Sequence, residues 1–449
     1  MNTVTLSVTK EYTCDVLVAG GGVTGLAAAV SAARMGAKTI LCDGGGVLGG
    51  TATKGMVGPF MTCYDKKGEN QIIKGFFEEF VKRMADEGGA IYHTNCKGAD
   101  SYGGYRQTGH IGVTPFSPET FKRVAEQCCV EAGVRILYHS TVIGCETQDD
   151  TIRCAYIGTA NGLEVIHAKT YIDCTGSATL AAKAGAEVVR GDENGMVQTS
   201  SLFFRIRNVN KQMLDEHMAM YEDMHPRYYM HEIAKARAEG RFPCGTPKLR
   251  IYESVNGEWV VNMAQEDDPV NELDTAALTD AEISQRTQIP KILAVLKESV
   301  PALKDAELVV SGSDLGVRES RRMVGLTTLT GEDVSHSRYY DERIAVCANS
   351  IDIHQKNGVA YVTYEANQNY YIPLSCLISR NIKNLMGAGK CMSADKYAFA
   401  AVRVMPPCFA MGEAAGITAA LSLGCGGEPA KVDVKAVQAQ ILENGGYLE

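Results

Sequence analysis

Three glycines and one acid carry the clearest chemistry in this sequence. Gly20, Gly22 and Gly25 stand in a G-x-G-x-x-G spacing, and Asp43, with Gly44 beside it, follows further along. In such a spacing the first glycine permits a tight turn, the second lets backbone approach a pyrophosphate, and the third lets a helix pack close to a strand. A helix opening at Val23 and Thr24 would offer free N–H groups and its positive dipole end to phosphates. An acid at the end of the next strand can accept hydrogen bonds from a ribose diol. The pattern reads as dinucleotide binding, and by itself it does not separate NAD from FAD.

The elements needed to hold these residues are legible around them. Asp15 to Ala19 is a short apolar run of the kind buried on both faces in a parallel sheet. Thr24 to Met35 has helical spacing and is followed by Gly36 in the position of a stop signal. Lys38 to Cys42 reads as the second strand, so the three form one βαβ unit. Further on, Ser117-Pro118-Glu119 supplies an N-cap, a proline at N1 and an early acid for a helix running to Ala132, where Gly133 ends it. Val134 to Tyr138 reads as the next strand, and residues from Thr141 to Ile172 alternate like antiparallel strands. Val16 to Ala33 is apolar enough to resemble a membrane span, but its clustered glycines favour strand, turn and helix.

Composition narrows the field. The chain has 449 residues, 45% hydrophobic and 22% charged, with a formal net charge of -9. That is ordinary for a globular protein and opposite to the basic balance of phosphate-gripping nucleic-acid binders. The fifteen cysteines form no C-x-x-C pair and no metal-like spacing with histidine, so neither a disulfide framework nor a metal is expected. Met1 to Cys14 lacks the basic and apolar regions of a signal peptide. The expected address is the cytoplasm.

Other side chains could act on a substrate. Arg318, Arg321 and Arg322 cluster within five residues, and guanidinium forks suit carboxylates; an ion-pair network with Glu319, Glu332 or Asp333 is the alternative. His354 could act as acid or base near neutral pH. Tyr364 and Tyr371 could donate phenolic protons or simply pack. Arg403 precedes a run rich in small residues.

Taken together, these features resemble the bacterial FAD-dependent oxidoreductases with a glutathione-reductase-type flavin fold. Five places carry the likeness: the fingerprint; Gly49-Gly50-Thr51; Ile172-Asp173-Cys174-Thr175-Gly176; Gly316-Val317-Arg318-Glu319-Ser320-Arg321-Arg322; and Asn384 to Gly389 continuing through Arg403 to Gly412-Glu413-Ala414-Ala415-Gly416. The resemblance implies non-covalent FAD held by the fingerprint with Thr51, Thr175, Gly176, Gly389 and the backbone at Val142. It also implies that a helix starting among Gly412, Ala414, Ala415 and Gly416 abuts the flavin ring. Lys390 and Glu413 depart from the arginine and glutamine usual in relatives.

The expected architecture is α/β: a Rossmann-like FAD-binding domain formed by residues 1–204 and 371–449, with an α+β substrate or cap domain, 205–370, inserted between them. Neither Gly103-Gly104 nor Gly312 to Gly316 makes a second nucleotide fingerprint, and Cys63 alone argues against disulfide exchange. The expected activity is hydride transfer between flavin N5 and a small, carboxylate- or oxygen-rich organic substrate, with Arg321, Arg322, His354 and Arg403 as catalytic candidates. Its expected partners are that substrate and an external electron donor or acceptor, without nucleic acid or membrane; self-association stays open. The alternatives are an NAD-dependent dehydrogenase and a flavin-binding electron-transfer module serving another protein.

Overall fold

The computed structural model describes residues 5–95, 112–219, 229–355, 358–359 and 364–449. Gly103-Gly104 lies outside them. Among the described residues, five parallel strands form the central sheet in the order Leu385–Gly387, Thr170–Asp173, Val16–Ala19, Thr39–Cys42 and Arg135–Leu137. Val16–Ala19 and Thr39–Cys42 are buried throughout, as short apolar runs covered on both faces should be. Asp15 stays outside the strand because its carboxylate accepts from Lys38 N at 2.9 Å and pairs with Lys169 at 2.8 Å.

Local signals set the helices that cover this sheet. The first helix runs Val23–Arg34, one residue earlier at each end than its spacing suggested. Gly36, at φ 87°, closes it by donating to Ala33 O at 2.9 Å. The helix Pro118–Ala132 begins and ends where expected; Ser117 caps it by accepting from Thr120 N.

A second sheet, strands Val8–Thr13, Gly162–His167, Thr151–Thr159 and Thr141–Gln148, contains the expected antiparallel meander. Its first strand, Val8–Thr13, was not foreseen and pairs in parallel with Gly162–His167. That strand is almost wholly exposed, so hydrophobic patterning had little to report.

A separate hydrophobic core runs from Leu202 to Leu315. It is built on an antiparallel sheet of Ile251–Glu253, Trp259–Gln265, Ser201–Arg207 and Glu307–Ser311, packed by the helix Thr275–Ser299. Arg205 fastens this sheet to the rest: its buried guanidinium donates to Ser254 Oγ at 3.0 Å and to Phe116 O at 3.3 Å, and pairs with Glu258. Packing corrects the expected 205–370 span at its far end. Leu329, Val334, Ile344 and Tyr370 belong to the first core, and Arg343–Cys347 pairs with Tyr370–Pro373. The change of core falls before residue 330 because strand Arg321–Met323 returns to pair with Val188–Arg190.

The helix Met405–Ser422 is long and apolar enough to cross a membrane by length and composition, yet it is a buried core helix lying against Val23–Arg34. A Cβ at Gly412 would meet Thr24 O at 2.3 Å, and one at Gly416 would meet Ala28 O at 2.2 Å. The small residues therefore serve close helix packing. All fourteen described cysteines are free thiols.

Candidate active site

The fingerprint turn is assembled by contact with the segment that ends strand Thr170–Asp173. Gly20 has φ 96°, and a Cβ there would lie 2.5 Å from Cys174 O. Gly25 is closer still: its Cβ would sit 1.8 Å from Gly20 O. Gly22 differs, because a Cβ there would meet nothing within 4 Å. It is the N-cap of the first helix and provides no side-chain cap, so no side chain at this position stands between open space and the helix end.

Around this opening the other expected segments converge. Gly49 N donates to Gly21 O at 2.8 Å, and both Gly49 and Gly50 take positive φ. Asp43 accepts from Gly21 N and Gly45 N, each at 2.7 Å, with Lys54 at 3.3 Å. Thr175 donates through both N and Oγ1 to Asp173 Oδ1, at 2.9 and 2.7 Å. Gly389, at φ 64°, comes so near Thr24 Oγ1 that a Cβ would approach to 2.2 Å. Gly44 lies against Thr141, and Val142 is buried beside it. Uncapped amides, a cleared space before Gly22 and an acid with oxygen lone pairs to spare are a donor set that fits a dinucleotide diphosphate and its ribose.

Beside Thr51 and the start of helix Met405–Ser422, a cavity of about 320 Å³ opens between the two cores. Phe203, Arg250 and Tyr252 reach it from the antiparallel sheet of the separate core, and Arg318, Asp352, His354, Lys390 and Arg403 from elsewhere. His354 Nε2 lies 2.9 Å from Asp352 Oδ2, and its Nδ1 makes no hydrogen bond among the described residues. Arg403 donates to Asp352 O at 2.9 Å and to Gln198 Oε1 at 3.3 Å, and lies 3.4 Å from Asp352 Oδ2. Arg318 donates to Thr199 O at 2.6 Å and Ser201 Oγ at 2.7 Å; Lys390 donates to Val317 O at 2.7 Å.

Charge is unevenly balanced here. Burial, with Arg403 and Arg250 nearby, pulls Arg318 down to about 9. Burial and Arg318 together pull His354 down to about 4, so its imidazole is neutral at pH 7. Burial works to raise the Asp352 carboxyl, but His354, Arg403 and Arg318 outweigh it and hold the group ionised. A neutral ring beside an ionised carboxylate donates from Nε2, which leaves the Nδ1 lone pair available as a proton acceptor.

His354, Arg403 and Thr51 thus stand at the cavity, but two arginines do not. Arg321 donates to Ser177 O at 2.9 Å; Arg322 is buried, donating to Ala394 O at 2.9 Å and Gly191 O at 2.7 Å and pairing with Glu319 over the Phe399 ring. Both are consumed by structural contacts because their strand pairs with Val188–Arg190, and Arg318 faces the cavity instead. Tyr364 and Tyr371 pack on Tyr397 and Tyr339. The expected helix start also moves. The helix begins at Met405, beside the cavity, rather than among Gly412, Ala414, Ala415 and Gly416, which are buried further along it. Pro406 and Pro407 carry no N–H, so its end offers a dipole with few donors.

Sequence reasoning passed over Lys248, Arg250, Tyr252 and Asp352. The signal was period-two alternation: Lys248-Leu249-Arg250-Ile251-Tyr252 and Asp352-Ile353-His354 each put their polar members on one face. Leu249 and Ile251 are buried in the second core; Lys248, Arg250 and Tyr252 line the cavity, and Leu249 also reaches its wall.

Glu413 points away from the cavity. Its carboxylate accepts from Phe76 N and Asn444 Nδ2, each at 3.0 Å, and so caps the helix Phe76–Asp86 across the fold. Glu413→Ala is expected to cost about 1–3 kcal/mol in urea unfolding, the range for orphaning buried hydrogen-bonding groups. Burial raises the Glu413 carboxyl above its ordinary value. The folded state therefore holds this proton more tightly, and the contribution to stability falls as pH rises through the folded value. Glu413→Gln should flatten that decline.

Compared with known proteins, residues 15–441 match the family model described as FAD dependent oxidoreductase. No curated protein matches the chain. Solved structures similar to it include a geranylgeranyl bacteriochlorophyll reductase-like protein from Thermoplasma acidophilum, at 14% identity and a TM-score of 0.46 over 96% of this chain and 84% of that one. The p-nitrophenol 4-monooxygenase PnpA from Pseudomonas putida DLL-E4 matches at 11% identity and 0.44, over 97% and 81%. The flavin-dependent brominase Bmp2 matches at 11% and 0.46, over 96% and 83%.

Proposed function

The chain belongs to the FAD dependent oxidoreductase family, and from that premise we propose that it oxidises or reduces a small organic acid by hydride transfer in the cavity between its two cores. FAD is its cofactor. In this reading Gly20, Gly22 and Gly25 with the amides of Val23 and Thr24 hold the diphosphate non-covalently, and Asp43 holds the ribose. Gly44, Val142, Thr175, Gly176 and Gly389 line the path between, and Gly49, Gly50 and Thr51 border the ring. The FAD-binding domain is of the glutathione-reductase type, interrupted by the substrate domain built on the sheet of Ile251–Glu253, Trp259–Gln265, Ser201–Arg207 and Glu307–Ser311. When bound, FAD supplies a two-electron hydride acceptor or donor.

The protein's own groups do the rest. Arg403 and Arg318 hold an anionic substrate, with Lys390 adding positive charge at the same wall. Asp352 fixes the His354 tautomer and ring orientation through the 2.9 Å contact. In the oxidative direction His354 Nδ1 takes the proton from the substrate hydroxyl or amine, and in the reductive direction it returns one. Phe203, Met405 and Tyr252 narrow the access of water.

One observation carries this reading: a neutral, carboxylate-oriented histidine opening on an arginine-lined cavity at the edge of the dinucleotide framework. The test is spectroscopic. The purified protein should be yellow, and anaerobic addition of one of a panel of hydroxy or amino acids should bleach the flavin band. Alternatively, the chemically reduced protein should be reoxidised by one of a panel of unsaturated or oxo acids. A folded protein that holds no flavin, or one whose flavin responds to none of these acids, would overturn the proposal.

A further inference from the structure

Resting on that reading of the site, we propose that the substrate is a compact dicarboxylate, with Arg250 gripping the carboxylate remote from the reacting carbon. Among the described residues, five cationic side chains, Lys248, Arg250, Arg318, Lys390 and Arg403, line the cavity against one carboxylate, Asp352. Asp352 is already engaged by His354 and Arg403. Arg318 and Lys390 use neutral oxygens as partners.

Arg250 is the informative member. It is only 8% exposed, lines the cavity, and makes no hydrogen bond or ion pair through its side chain among the described residues. A guanidinium taken out of water without an acceptor is costly, and a carboxylate meeting it bidentately removes that cost. Burial first, and repulsion from neighbouring arginines second, lowers both Lys248 and Arg318. An anion entering the cavity relieves both strains.

The supply of positive charge from two different parts of the fold argues for two anionic ends rather than one phosphate. Lys248 and Arg250 belong to the run that enters strand Ile251–Glu253, in the antiparallel sheet of the separate core. Arg403 and Lys390 come from the first core's side, next to His354 and the start of helix Met405–Ser422. One carboxylate beside Arg403 leaves its adjoining carbon near the His354 base, and the other extends to Arg250. The cavity of about 320 Å³ has Thr51 in its wall and is shared with the flavin ring in this reading, so the room left suits a short chain.

Calorimetric titration of the FAD-loaded protein at constant ionic strength tests this. The probes are length-matched pairs, succinate with butyrate, glutarate with valerate and adipate with hexanoate, plus inorganic phosphate. At least one dicarboxylate should bind ~10–100-fold tighter than its partner, the worth of one charge-assisted pair. In Arg250→Met that preference should collapse while flavin content, read from the visible band, stays unchanged; Arg250→Lys should keep part of it. The proposal is overturned if no pair shows the preference, if phosphate binds as tightly as the best dicarboxylate, or if Arg250→Met keeps the preference or loses flavin instead. Should Arg250→Met not fold, the wild-type pairs and Arg250→Lys decide alone. A protein that never takes up FAD refutes the functional reading; one that holds FAD but ignores the second carboxylate refutes only this inference.

Discussion

Gly25→Ala is expected to destabilise the apoprotein by about 3 kcal/mol or more, at or beyond the upper end of overpacking costs, whereas Gly22→Ala should leave its stability within about 0.5 kcal/mol. The two glycines stand three residues apart in one motif, but they face different things. The added methyl at Gly25 would sit 1.8 Å from Gly20 O and near 3.3 Å from the Cys174 side chain, and backbone held between a strand and a helix cannot step aside. At Gly22 the methyl enters open space in a φ of -65° that any residue adopts. In the proposed binding mode the diphosphate approaches the helix amides through that space, so Gly22→Ala should weaken FAD binding ~100-fold, the scale of charge-assisted hydrogen bonds lost at a helix N-terminus. Urea unfolding without cofactor and flavin titration of the two variants separate the effects. Equal stability of both, or unchanged flavin affinity in Gly22→Ala, would show that the turn does not work as described.

The second large effect is at the histidine. His354→Gln should lower turnover ~10²–10⁴-fold, the range for a general acid or base, with flavin content unchanged. Asp352→Asn should also lower turnover, since the ring loses the acceptor that sets its tautomer. Rate against pH gives the sharper reading. His354 sits at about 4 because burial and Arg318 oppose its charging. In the oxidative direction the neutral ring is the active form. kcat/KM should therefore be flat near neutrality and fall as pH drops through about 4, with the limb absent from the residual activity of His354→Gln. Arg318→Met removes a repelling cation, so it should shift the limb to higher pH. A profile indifferent to both substitutions would take His354 out of the chemistry.

The βαβ unit, the helix Pro118–Ala132 with its Ser117 cap and Gly133 stop, and the fingerprint were legible because each is written within a few neighbouring residues. Apolar runs choose strands, cap residues satisfy helix ends, and glycine spacing shapes the turn; none of this needs distant partners. His354 and Arg403 were singled out by type and place in the chain, and both stand at the cavity. The exposed strand Val8–Thr13 escaped because an edge with both faces wet has little hydrophobic pattern.

Only the tertiary structure decided which cations work together. Arg318, Arg321 and Arg322 are alike in sequence, but the pairing of Arg321–Met323 with Val188–Arg190 spends two of them on backbone oxygens and leaves the first to the cavity. Arg250 and Asp352 line one cavity although roughly a hundred residues separate them, a distance over which periodicity is silent. Gly412 and Gly416 look the same whether a helix approaches a flat ring or another helix, and the contacts with Thr24 and Ala28 settle that they pack on the first helix. Sequence determined the local elements and the dinucleotide turn, since these depend on short-range sterics and hydrogen bonds. The cavity's charge was left to the folded chain, since it depends on which side of each strand and helix meets another segment.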